Sequence, residues 1–184
     1  MTTFLSWLRQ LNFETHLDTL IVVLASLLCI TVHESCHGLA AYWLGDDTAK
    51  RMGRISLNPL RHIDIGGLIM MAIFHFGWAK PVPIDMRRFR NRRAGMAITA
   101  LAGPVSNVIL AFLALICLAL CNLFLPQTTL VYYISYFFLY TAILSAGLAV
   151  FNLIPIPPLD GSKVLFSLLP DSAYAWLMRY ERYG

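Results

Sequence analysis

Residues 19–44 read TLIVVLASLLCITVHESCHGLAAYWL, and Glu34 is the only charged side chain in the run. At about 1.5 Å of rise per residue, a helix of this length crosses the roughly 30 Å of hydrocarbon in a bilayer. The stretch therefore predicts a membrane-spanning helix, and it holds His33-Glu34-Ser35-Cys36-His37 within it. Two imidazoles four residues apart share one helix face and can hold one zinc ion. Glu34, one step round, can serve as general base toward water activated there. A carboxylate and two imidazoles are costly in hydrocarbon, so they face protein or a wet cavity and mark function. The alternative is a pair of buried, hydrogen-bonded histidines without metal.

The rest of the chain agrees with a membrane setting. Hydrophobic residues make up 58% and charged residues 13% of the 184, and mean hydropathy is +0.66. Soluble domains carry about 45–50% apolar and about 25% charged residues. Two further apolar runs, 94–124 and 130–154, are long enough to span. The first span is too long for a signal-peptide core and carries the motif itself, so no cleavable signal is expected. Residues 4–12 carry Phe4, Leu5, Trp7, Leu8 and Leu11, an expected interfacial helix. Cys29, Cys36, Cys117 and Cys121 all lie in apolar runs without C-x-x-C spacing, so no disulfide framework is implied. Cys36 reads as a spacer, because a fourth protein ligand would close the open position of a catalytic metal.

Charge sets the expected orientation. Ten of the 14 Lys and Arg residues lie between the first two spans: Lys50, Arg51, Arg54, Arg61, Lys80, Arg87, Arg88, Arg90, Arg92 and Arg93. By the positive-inside rule, segment 45–93 is cytoplasmic, the N-terminus outside and the C-terminus inside. The net charge of +4 thus reflects topology rather than a nucleic-acid partner. Within 45–93, Arg54-Ile55-Ser56-Leu57-Asn58 alternates like a short strand ended by Pro59. Residues 67–78 are apolar but too short to span. Lys80-Pro81-Val82-Pro83-Ile84 must be extended. His62, Asp64 and His75 match no metal-ligand spacing. The aromatic, basic tail with Trp176, Tyr180 and Arg182 suits a headgroup boundary.

This topology returns the third span to the side of the membrane where His37 lies about 10 Å deep. That span ends in Asn152-Leu153-Ile154-Pro155-Ile156-Pro157-Pro158-Leu159-Asp160-Gly161. The prolines forbid a regular helix there, so the backbone must fold against protein or line a cavity. Asp160 is either a third ligand completing a His, His, carboxylate set or part of a turn leaving the membrane. In the second span Pro104 should bend the helix and Gly103 permits close approach of a neighbour. Asn107 and Asn152 either stabilise a developing oxyanion or bond between helices.

Taken together, H-E-S-C-H-G at 33–38, G-R-I-S-L-N-P-L at 53–60, G-W-A-K-P-V-P-I at 77–84, A-G-P-V-S-N at 102–107 and N-L-I-P-I-P-P-L-D-G at 152–161 resemble the site-2 protease family of intramembrane zinc metalloproteases. The likeness is to the compact microbial type without PDZ or CBS domains. It implies one zinc on His33, His37 and Asp160, Glu34 as catalytic base, and Asn107 and Asn152 close to the active centre. It also implies three core transmembrane helices in one domain over residues 1–184, with a small membrane-associated β element between the first and second. The expected location is the cell membrane, multi-pass, with the active site toward the cytoplasmic side. Expected substrates are transmembrane segments or signal-peptide remnants. Members of this type continue with another apolar helix after a stretch like 179–184, so a truncated chain is expected. The competing class is an intramembrane metal-binding or metal-transport protein. Polar residues along a whole crossing would favour it, and here the outer halves of the spans are apolar.

Overall fold

A computed structural model describes residues 13–64, 66 and 80–170. Its main elements are α1 (Phe13–Trp43), α2 (Thr48–Arg51), α3 (Arg92–Phe124), α4 (Thr129–Asn152) and α5 (Asp160–Ser167). Three of them, α1, α3 and α4, are long and apolar enough to cross a membrane. Their limits follow from local chemistry. Asn91 caps α3 by accepting the Ala94 N–H at 3.1 Å, which draws Arg92 and Arg93 into the first turn, ahead of the expected start at 94. Thr128 caps α4 through the Val131 N–H at 3.3 Å. α4 stops at Asn152 rather than running to 154, because Pro155 disfavours helical geometry in the residue before it.

The three long helices pack on one another, and α5 packs against α3. Small residues fill the seams: Ala25, Cys29 and Ala41 on α1, Ala100, Gly103 and Ala111 on α3, Ala142, Ser145 and Ala149 on α4. Large apolar side chains such as Ile98, Val108, Phe112, Leu113, Leu130 and Ile143 point outward. Lipid solvates those groups as well as protein does, so close backbone approach and buried polar contacts hold such a bundle together. One such contact ties α1 to α4: Ser145 Oγ donates to Cys29 Sγ at 3.1 Å, and Cys29 Sγ lies 3.6 Å from Thr141 O.

The connection between α1 and α3 leaves the expected small β element unconfirmed. Among the described residues there is no strand, and Ile63 alone has a bridge-type pairing. The 54–58 stretch is irregular because its polar groups are taken locally. Ser56 O accepts from Ser35 Oγ at 2.7 Å and lies 2.8 Å from His62 Nε2, while Asn58 Oδ1 accepts the Leu60 N–H and caps a single 3₁₀ turn, Pro59–Arg61. Residues 80–85 carry no regular element, and Arg54 reaches the carbonyls of Lys80 and Pro81 at 3.5 and 3.4 Å. The expected N-terminal interfacial helix, the apolar piece 67–78, His75 and the aromatic tail lie outside the described residues.

The loop after α1 is tied down by a carboxylate. Asp46 is completely buried. Its Oδ1 accepts from the Thr48 N–H at 3.0 Å and the Thr48 hydroxyl at 2.5 Å, and its Oδ2 accepts the Asp85 N–H at 2.7 Å. Arg88 adds a bond to Asp47. These contacts bring the 80–88 segment back against the end of α1, beside the histidines.

Candidate metal centre

Helical spacing on α1 puts His33 and His37 on one face, their ring centroids 4.5 Å apart and nearly perpendicular. α3 comes up against this face at Gly103. A Cβ there would lie 2.5 Å from His37 Nε2 and 2.6 Å from His33 Cε1, so the position admits only hydrogen. After α4 the chain turns through Leu153–Leu159, with a cis bond between Pro157 and Pro158, and enters α5 at Asp160. Gly161 makes the fold-back possible, since a Cβ would lie 2.3 Å from the Leu153 carbonyl oxygen. The proline-rich turn thus delivers Asp160 to the histidines, across 127 residues of sequence.

Three donor atoms converge. Asp160 Oδ2 is 3.1 Å from His33 Nε2 and 3.1 Å from His37 Nε2, and the two Nε2 atoms are 3.0 Å apart. All three residues are buried. A tetrahedral ion with bonds of about 2.0–2.1 Å has ligand-to-ligand edges of about 3.3 Å. The donor set and its spacing therefore fit zinc, and mixed imidazole and carboxylate ligation is one of its known catalytic sets.

The outer nitrogens fix how the rings face. His37 Nδ1 donates to Thr99 O at 2.7 Å, which leaves Nε2 as the bare nitrogen. Pro104 has no N–H for Ala100 O, so the α3 ladder is open at the same turn. His33 Nδ1 lies 3.2 Å from Asn107 Nδ2, and the fully buried Asn107 Oδ1 has no partner. Rotating the amide exchanges these atoms and gives a His33 Nδ1–H its acceptor, which again leaves Nε2 bare. Two bare imidazole nitrogens facing one carboxylate oxygen call for a cation.

A cavity of about 180 Å³ opens beside the donors, lined among others by His33, Glu34, His37, Asn152, Asp160 and Lys163. Glu34 Oε2 accepts the Val82 N–H at 3.0 Å, so the 80–84 segment holds the carboxylate in place. Asn152 donates one amide hydrogen to Leu148 O at 3.0 Å. The two asparagines part company here. Asn152 borders the cavity, whereas Asn107 lies against His33 Nδ1 and outside the lining. Cys36 is half-buried and borders a separate, mostly apolar cavity with Val32, Leu39, Ile55 and Leu57. His62 is buried against Ser56 O, away from the donor set. Sequence reasoning missed Lys163, the Thr99 carbonyl and the Val82 N–H. For Lys163 a signal existed, three residues after Asp160; the other two are main-chain groups with no side-chain signature.

Residues 122–177 match the model of Peptidase family M50. The chain is 38% identical over 165 residues to "Putative zinc metalloprotease YwhC" of Bacillus subtilis, covering 89% of this chain and 75% of that protein. It is 29% identical over 151 residues to "Putative zinc metalloprotease Rip2" of Mycolicibacterium smegmatis, covering 79% of this chain and 56% of the relative. A third match, 47% identical over 66 residues, is to "Putative zinc metalloprotease MJ0611" of Methanocaldococcus jannaschii, covering 36% of this chain and 31% of the relative. No solved structure matches the chain.

Proposed function

The chain belongs to peptidase family M50, the site-2 protease family of zinc metalloproteases, and from that membership we propose that it hydrolyses peptide bonds within or near transmembrane segments of other membrane proteins. It is a zinc metalloendopeptidase. The observation that carries the intramembrane reading is the meeting of His33, His37 and Asp160 at 3.0–3.1 Å, beside Glu34, within a bundle of three membrane-length helices.

His33, His37 and Asp160 would hold the zinc. When bound, zinc supplies Lewis acidity, which brings the pKa of water toward about 7 and polarises the scissile carbonyl. Glu34 keeps Oε2 on the Val82 N–H and uses Oε1 to take the proton of the attacking water. The same oxygen then returns that proton to the leaving amine. Asn152 has a second amide hydrogen beyond the one spent on Leu148, and it donates this to the substrate carbonyl as negative charge builds. Thr99 O and Asn107 keep the two rings from turning during these steps. A helical substrate hides its carbonyls, so it unwinds locally and lies extended along the 80–84 segment that borders the cavity.

Residues 1–184 form one catalytic domain in this reading. The ten basic residues of 45–93 support a site toward the cytoplasm, with the N-terminus outside. Substrates are single transmembrane segments or the hydrophobic remnants of signal peptides. The test is Glu34→Gln in proteoliposomes with a model transmembrane substrate. Zinc content should stay at one ion per chain while cleavage falls by about 100- to 10,000-fold, the share that general acid–base catalysis supplies. Undiminished cleavage by this variant rejects the mechanism.

A further inference from the structure

Lys163 follows Asp160 by three residues on α5, so the two side chains share a helix face. Its Nζ lies 3.5 Å from Asp160 Oδ1, while Asp160 Oδ2 lies 3.1 Å from each imidazole nitrogen. The carboxylate is thus divided: one oxygen faces the histidines and the other faces the ammonium. Exposed ion pairs of this spacing contribute little. Here the Lys163 side chain is 25% exposed and that of Asp160 10%, and both border the catalytic cavity. Ser162 Oγ donates to Leu159 O at 2.7 Å and secures the first turn of α5 that presents the pair.

A carboxylate can ligate a metal through one oxygen or both. A catalytic zinc site needs three protein donors and a remaining position for water or substrate. An ammonium on Oδ1 draws on that oxygen's charge and lone pairs and leaves Oδ2 as the donor. We propose that Lys163 is a positioning residue that restricts Asp160 to single-oxygen ligation and thereby keeps the water position of the metal centre open. This rests on the assignment of Asp160 as a ligand.

The experiment uses the full chain in detergent, loaded with Co²⁺ in place of zinc, and compares the wild type with Lys163→Met, Lys163→Arg and Asp160→Ala. The visible absorption of cobalt is intense in four-coordinate sites and weaker in five-coordinate ones. The wild type and Lys163→Met should each bind one cobalt per chain. The bands of Lys163→Met should weaken as both Asp160 oxygens close on the metal. Lys163→Arg should restore the wild-type spectrum. In the zinc forms, kcat of Lys163→Met should fall about 10- to 100-fold with KM unchanged, the range for removing a group that supports a metal ligand. A Lys163→Met spectrum identical to wild type overturns the inference while leaving the ligand assignment intact, and so does loss of cobalt from Lys163→Met alone. Wild-type cobalt binding and spectrum in Asp160→Ala overturns the ligand assignment itself, and this inference with it.

Discussion

Replacing Gly103 by alanine adds one methyl group where α3 meets both imidazoles. The new carbon would lie 2.5 Å from His37 Nε2 and 2.6 Å from both His33 Cε1 and His37 Cε1, and ordinary contact begins at 3.4 Å. Ring and helix must therefore part by about 0.9 Å. The rings are not free to yield, since His37 is bonded to Thr99 O on the same helix and His33 lies against Asn107. Overpacking of this kind costs about 1–3 kcal/mol of stability. The helix preference of alanine over glycine returns up to about 1 kcal/mol, so the variant should fold and insert. Function is more sensitive: a displacement of about 1 Å in a catalytic constellation costs on the order of 100-fold in rate. The assay is zinc content and cleavage of a model substrate by Gly103→Ala, with Gly147→Ala as control because a Cβ there has open space around it. Gly103→Ala should lose zinc and cleave about 100-fold more slowly, and the control should match the wild type. A Gly103→Ala protein holding one zinc and cleaving within about twofold of wild type would refute the close-approach argument.

Two predictions concern the loop that frames the site. Asp46→Ala strips the acceptors from the Thr48 and Asp85 N–H groups, each loss costing about 1–3 kcal/mol where the donor stays buried. Thermal unfolding in detergent should show the drop, and an unchanged midpoint would contradict the clamp. Asp85 is half-buried, and hydrogen bonds from Arg87 hold its carboxyl below the ordinary value. A depressed folded pKa contributes stability above the unfolded value of about 3.9, which fades as pH falls through the folded value. In Arg87→Ala the Asp85 titration, followed by NMR, should move up toward about 3.9, and no movement would remove Arg87 as the cause.

The sequence was legible where chemistry is local. Hydrophobic length located α1, α3 and α4, and the i, i+4 histidines marked the site. The proline run signalled that Asp160 could not simply continue a helix out of the membrane. Depth along a helix was legible but direction around it was not. Asn107 and Asn152 look equivalent as polar groups in apolar spans, yet one stands behind His33 and the other borders the cavity. Direction depends on which neighbour packs where, a property of the assembled bundle. The alternation at 54–58 misled for a related reason. A strand requires a partner edge, and these groups are occupied by Ser35, His62 and a local cap.

The bond from His37 to Thr99 is made to a main-chain oxygen. Any residue of similar bulk at position 99 supplies the same atom, so a scan of substitutions there would score the position as permissive although it aims a ligand. What must be preserved is the path of the α3 backbone, which the neighbouring Gly103 and Pro104 shape. Part of this enzyme's inheritance is thus carried by the backbone at position 99 rather than by its side chain, and comparing relatives at that position alone would pass over it.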